Sequence, residues 1–167
     1  MKFVERIEKF NSIVGQASAW LTLAMVLVTF IIVIMRYAFD LGWIWLQETV
    51  TLMHAAVFML AAAYTLARDE HVRVDIFYKK LTARGQAIVD ALGTAFFLIP
   101  VMIFLIWSSS SYVAVAWRIR ETSVEAGGLA YPWVPVLKTF IPLMAALLLL
   151  QAIVIVVRSI TLIRSPR

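Results

Sequence analysis

The sequence predicts an all-α membrane protein, a four-transmembrane-helix bundle with both termini cytoplasmic and short amphipathic helices at the membrane interface. Three observations predict it. Of 167 residues, 63% are hydrophobic and 15% charged, against roughly 45–50% and about 25% in a soluble domain; mean hydropathy is +0.91. The charges gather between four long apolar runs, and Lys and Arg are shared unevenly between the two sides that those runs define.

The first run, 11–35, holds no charged residue. At about 1.5 Å per residue it crosses a hydrocarbon core of about 30 Å with some tilt. It exceeds the apolar region of a signal peptide, and the small triplet Ala17-Ser18-Ala19 precedes most of the run instead of following it, so it reads as a retained span. Three more spans follow, at approximately 47–67, 88–117 and 134–157, making residues 1–167 a single membrane domain. In hydrocarbon every backbone amide must bond within the chain, and runs of this length without alternation are helices.

Orientation follows from the basic residues. Lys2, Arg6, Lys9, Arg68, Arg73, Lys79, Lys80, Arg84, Arg158, Arg164 and Arg167 fall on one side. Arg36, Arg118, Arg120 and Lys138 fall on the other. The richer side is expected in the cytoplasm. Phe3, Ile7, Phe10 and Val14 recur at helical spacing among charges, and Val74, Phe77, Tyr78 and Leu81 repeat the pattern; both stretches read as amphipathic segments on an anionic leaflet. The net charge of +5 is thus a matter of membrane topology, and no nucleic acid is expected as a partner.

The composition also bounds the chemistry. There is no cysteine and there are two histidines, which leaves no thiolate chemistry and little material for haem or a metal. No cofactor, metal site or catalytic set is expected, and the chain does not read as an enzyme. Charged groups at membrane depth are costly, and Glu48, Asp90 and Lys138 all lie near span ends. Glu48 is expected to pair with Arg36 or Lys138 and so to fix spans one, two and four. His54 is expected to pack inside the bundle with a hydrogen bond. Gln151 is expected to bond across a helix interface, within the chain or with another subunit. Ser108 to Ser111, Gly93 and Thr94 are further candidates for close helix approach.

Several local sequences together carry a family resemblance. Arg36-Tyr37-Ala38-Phe39 ends span one, and Trp45-Leu46-Gln47-Glu48 opens span two. Arg68-Asp69-Glu70-His71-Val72-Arg73-Val74-Asp75 closes it. In this order and spacing the chain resembles the small, DctQ-type membrane subunit of the tripartite ATP-independent periplasmic (TRAP) transporters. Where that family has two acids after the tryptophan, this chain has Gln47 and then Glu48.

The resemblance implies a multi-pass subunit of the bacterial inner membrane, partnered by a large DctM-type membrane subunit and a periplasmic solute-binding protein. It implies sodium-gradient-driven uptake of an organic acid or similar solute, with this chain as scaffold. Arg36, Tyr37, Trp45, Glu48, Arg68, His71, Asp75, Lys138 and Gln151 are then the candidate structural and partner-interface residues. Two other readings compete. A self-contained small multidrug or ion exporter needs a membrane-embedded carboxylate, and a haem-binding electron-transfer subunit needs facing histidines.

Overall fold

A computed structural model describes residues 2–68 and 78–164. Its described elements are helical: α1 Lys2–Phe39, α2 Ile44–Ala67, α3 Ala83–Gly93, α4 Ile99–Arg118 and α5 Trp133–Arg164. A π-helical turn, Thr94–Leu98, joins α3 and α4 into one rod, so four helical units are long and apolar enough to cross a membrane. The helices overrun the expected spans at nearly every end. The apolar windows measure only the hydrocarbon, whereas Lys, Glu and Arg are good helix formers that carry the same helices into the headgroup region.

The N-terminal amphipathic segment belongs to α1, which runs unbroken from Lys2, so it is not a separate element. Most of the second such segment, including Val74 and Phe77, lies outside the described residues. So do His71 and Asp75.

The π turn has a local cause. Pro100 has no N–H to give and its ring crowds the carbonyl one turn back. The Ile99 N–H bonds to the Thr94 carbonyl, five residues back, which widens the turn just before the proline. At the start of the rod, Thr82 caps α3 by accepting from the Gly85 N–H at 3.2 Å. Tyr78 steadies this entry, donating its hydroxyl to Asp90 Oδ2 at 2.7 Å while its carbonyl accepts from Gln86 Nε2. Asp90 is therefore tied locally at the end of the span.

Helix α5 is the centre of the assembly. It packs against α1, α2 and the rod, and α1 and α2 pack extensively on each other. Ala145, Leu147, Leu148, Ala152 and Val154 of α5 are buried, and Ala63 of α2 and Met102 of α4 join them. Small residues let backbones approach closely, which matters where lipid competes equally for apolar surface. Gly15 of α1 is the tightest such point: a Cβ there would lie 2.6 Å from Cβ of Tyr64 on α2. The outward faces of α1 and the rod, with Phe30, Phe97, Phe104 and Trp107, are exposed and apolar.

Candidate functional site

Topology places two loops, between α1 and α2 and between α4 and α5, at the end of the molecule opposite the termini. Glu48 organises this far end. It sits in the first turns of α2, where its Oε1 accepts from Ser123 Oγ at 2.5 Å and its Oε2 accepts from the Leu129 N–H at 2.6 Å. Bonds to an ionised acceptor are about twice as strong as neutral ones. One carboxylate thereby pins both ends of a tight loop that also closes on itself, through Ser123 N–H to Leu129 O at 2.9 Å and Gly128 N–H to Glu125 O at 3.0 Å.

The loop repays the contact by capping α2. Trp43 offers α2 no side-chain cap, and the Trp45 N–H bonds instead to the Gly127 carbonyl at 3.0 Å, satisfying one of the amides that every helix start leaves open. Both glycines are required here. Gly127 has φ of 79°, the left-handed region that glycine enters without strain. A Cβ on Gly128 would meet Glu48 Oε2 at 2.7 Å. Val124, at the loop tip, is 97% exposed.

The expected pairing of Glu48 with Arg36 or Lys138 is not found. Lys138 Nζ bonds both carboxylate oxygens of Glu121, at 2.8 and 2.6 Å, and lies 4.0 Å from the ring centre of Tyr112. The reason is the end of α4. Arg120 takes a left-handed conformation, φ 52°, and the Glu121 N–H returns to the Ala116 carbonyl, a close that turns Glu121 back over α5. Trp117 Nε1 donates to Thr139 Oγ1 at 3.0 Å and stacks edge-on with Tyr131, tying the same two helices. Arg36 and Tyr37 stand exposed at the end of α1, Tyr37 at 84%, and neither joins this cluster. Trp45 is half-exposed beside it.

Two outcomes follow. Exchanging the charges of Lys138 and Glu121 (Lys138→Glu with Glu121→Lys) is expected to restore most of the thermal stability lost in either single variant. Lys138→Glu with Glu48→Lys is expected to restore none. Glu48→Ala is expected to free residues 122–129, read as at least tenfold faster protease cleavage there, the scale of losing charge-assisted bonds of about 1.5 kcal/mol or more.

At the terminal end, Gln151 is 2% exposed and accepts from Asn11 Nδ2 at 3.0 Å. The interface it crosses is thus within the chain, between α1 and α5. Asn11 is itself buried, and its Oδ1 has no partner. Nearby, a cleft of about 260 Å³ is lined by Glu8, Ser12, Tyr64, Ala67, Arg68 and Arg158. Arg158 is paired with Glu8 at 2.7 Å, and the Arg68 guanidinium lies 4.7 Å from the ring centre of Tyr64.

His54 differs from expectation. It is not inside the bundle but on the exposed face of α2, stacked at 6.5 Å on Phe58. Its neighbours on α2 explain this: Ala56 and Ala63 take the buried face, about half a turn away around the helix. Thr94 and Ser109 turn inward and are buried, whereas Ser108, Ser110 and Ser111 are exposed. Gly93 has open space around it. No three His, Asp or Glu side chains gather as a metal site among the described residues.

Asn11, Glu121, Ser123, Gly128 and Leu129 were not among the residues expected to pair or to form the site. Only Asn11 carried a signal: Ile7, Asn11, Gly15 and Ser18 recur at helical spacing, and all four are buried, a small and polar stripe of the kind that marks helix contacts in lipid. The loop residues meet Glu48 from more than seventy positions away, and nothing local marks them.

No curated protein matches the chain. A family model does match, over residues 25–162, which takes in the last part of α1, the whole of α2, the rod and the far-end loop, and almost all of α5. That match covers most of the chain and agrees with its four membrane-length helical units, and the chain belongs to the family described as tripartite ATP-independent periplasmic transporters, DctQ component.

Proposed function

We propose that this DctQ-family chain is the stationary membrane subunit of its transporter, bracing a large DctM-type subunit while that subunit carries the solute. The solute is an organic acid or similar compound, delivered by a periplasmic binding protein and drawn in by a sodium gradient. The chain lies in the bacterial inner membrane with both termini in the cytoplasm, and its far-end loops help form the surface on which the binding protein docks. The observation that carries this reading is the placement of charge. Among the described residues, Glu48, Asp90 and Glu121, three carboxylates close to the membrane, are each engaged at a helix end by hydrogen bonds or an ion pair. None sits deep between helices, where a coupling carboxylate would have to load and release an ion.

A bracing role also fits the packing. Central α5 is locked to its neighbours by small residues and by the Asn11–Gln151 bond. The outward faces of α1 and the rod are broad and apolar, suited to a partner's helices or to lipid. Among the described residues, no helices form the matched broken pair that builds transporter sites.

The test is reconstitution. Vesicles holding this chain alone are expected to accumulate no solute under a sodium gradient, and vesicles holding it with the large subunit and binding protein are expected to do so. Accumulation by the chain alone would overturn the reading in favour of a self-contained transporter. Within the complex, alanine at Arg36, Glu48, Arg68, His71 and Asp75 is expected to lower uptake or assembly while the chain still reaches the membrane. Intact uptake in all five variants would remove them from the interface.

A further inference from the structure

The exposed face of α2 is polar where it crosses the bilayer. Gln47, Thr51, His54 and Phe58 are all exposed, and their spacing of four, three and four residues puts them on one side of the helix. His54 lies seven residues inside the expected span start at 47, about 10 Å along the axis and roughly a third of the way through a hydrocarbon core of about 30 Å. An imidazole is too short to reach the interface from there.

Several exposed hydroxyls in the spans satisfy themselves. Thr29, Thr51, Ser108 and Ser110 each donate a hydroxyl to a carbonyl in the preceding turn of their own helix, which hides the group from lipid. An imidazole in a helix has no such recourse. Its two nitrogens need a donor and an acceptor from elsewhere, and among the described residues His54 makes no hydrogen bond; its ring stacks on Phe58. Lipid tails provide no hydrogen-bonding group. Phe58, 73% exposed, stands one turn further along as an apolar knob beside it.

We infer that the Gln47–Thr51–His54–Phe58 face of α2 is the seam with the large transport subunit, which brings a spanning helix whose side chain hydrogen-bonds His54 and whose surface receives Phe58. This rests on the bracing role proposed above and adds the face through which it acts. The rod differs: Phe97, Phe104 and Trp107 are exposed, and Ser108 and Ser110 beside them bond back to their own helix, so that largely apolar face suits lipid.

The experiment uses the complex purified from membranes. A photoreactive benzoylphenylalanine replaces Phe58 in one variant and Phe104 in another. Position 58 is expected to give an adduct with the large subunit and position 104 is not. His54→Leu, which suits an isolated helix in lipid, is expected to leave the amount of this chain in the membrane unchanged. It is expected to cut the co-purified large subunit roughly tenfold, the scale of one interhelical hydrogen bond in a bilayer. An adduct from position 104 but not 58, with full recovery of the large subunit from His54→Leu, overturns the seam and leaves the bracing role standing. An adduct between two copies of this chain at position 58 overturns it in favour of self-association. If the unaltered chain brings down no large membrane partner, the bracing role fails and the seam with it.

Discussion

Gly15→Val is expected to destabilise the chain by about 3 kcal/mol, at the upper end of what overpacking costs in a well-filled interior. The clash is with atoms that cannot swing aside. A Cβ on Gly15 falls 2.6 Å from Tyr64 Cβ and closer still to its Cγ, the root of that side chain, so relief requires α1 and α2 to separate. Even Gly15→Ala is expected to cost about 1–2 kcal/mol, although alanine is the better helix former by about 1 kcal/mol. Two comparisons give the prediction its edge. Gly93→Ala, where the added methyl meets nothing within 4 Å, is expected to be neutral or mildly stabilising. Tyr64→Ala is expected to recover most of the loss in the Gly15→Ala background. Thermal unfolding in detergent, followed by tryptophan fluorescence, measures all of these. Equal melting temperatures for Gly15→Val and the unaltered chain would show that α1 and α2 do not meet at this point.

The second large effect concerns the Asn11–Gln151 bond. Gln151→Leu is expected to cost about 2–3 kcal/mol, because it leaves a buried amide with no partner at all. Asn11 Oδ1 is already unpaired and Nδ2 has Gln151 as its acceptor, and each buried orphan costs about 1–3 kcal/mol. The double variant, Asn11→Leu with Gln151→Leu, removes both ends of the bond and is expected to be nearly neutral, since apolar groups of similar shape replace the pair. The cycle therefore predicts a coupling of at least 1 kcal/mol, with the double variant more stable than the single. A double variant that merely sums its singles would show that the two amides act independently.

Much of the fold was legible because a bilayer imposes few choices. A run such as 11–35 without charge has to be a helix, and its length has to match the hydrocarbon. The family was legible for a related reason: Arg36–Phe39, Trp45–Glu48 and Arg68 lie at helix ends, where the chain leaves lipid and side-chain identity is constrained by more than hydropathy. Helix ends were less legible. The run 88–117 marks the apolar part of a rod that begins at Ala83, since charge ends a span without ending a helix.

The site was legible in its residue types and not in its pairings. Glu48, Lys138 and Gln151 were each singled out as polar groups needing partners, and each has one. The partners are Ser123 and Leu129, Glu121, and Asn11. Charge counting joins Glu48 to the nearest cation along the membrane normal, but it cannot see that Arg120 reverses the chain and delivers Glu121 to Lys138 first. His54 shows the same limit from the other side. Its depth was readable, but its direction depended on which face of α2 the alanines Ala56 and Ala63 turned toward α5.

By itself, then, the sequence determined what crosses the membrane, where charge is confined and which family's pattern the chain carries, because each depends on composition counted along a single helix. Only the tertiary structure decided which helix lies at the centre, which loop Glu48 holds, and that α2 turns His54 outward. Those depend on the rotation of each helix about its axis, and that rotation is fixed jointly by the small residues of α1, α2 and α5 once they are in contact.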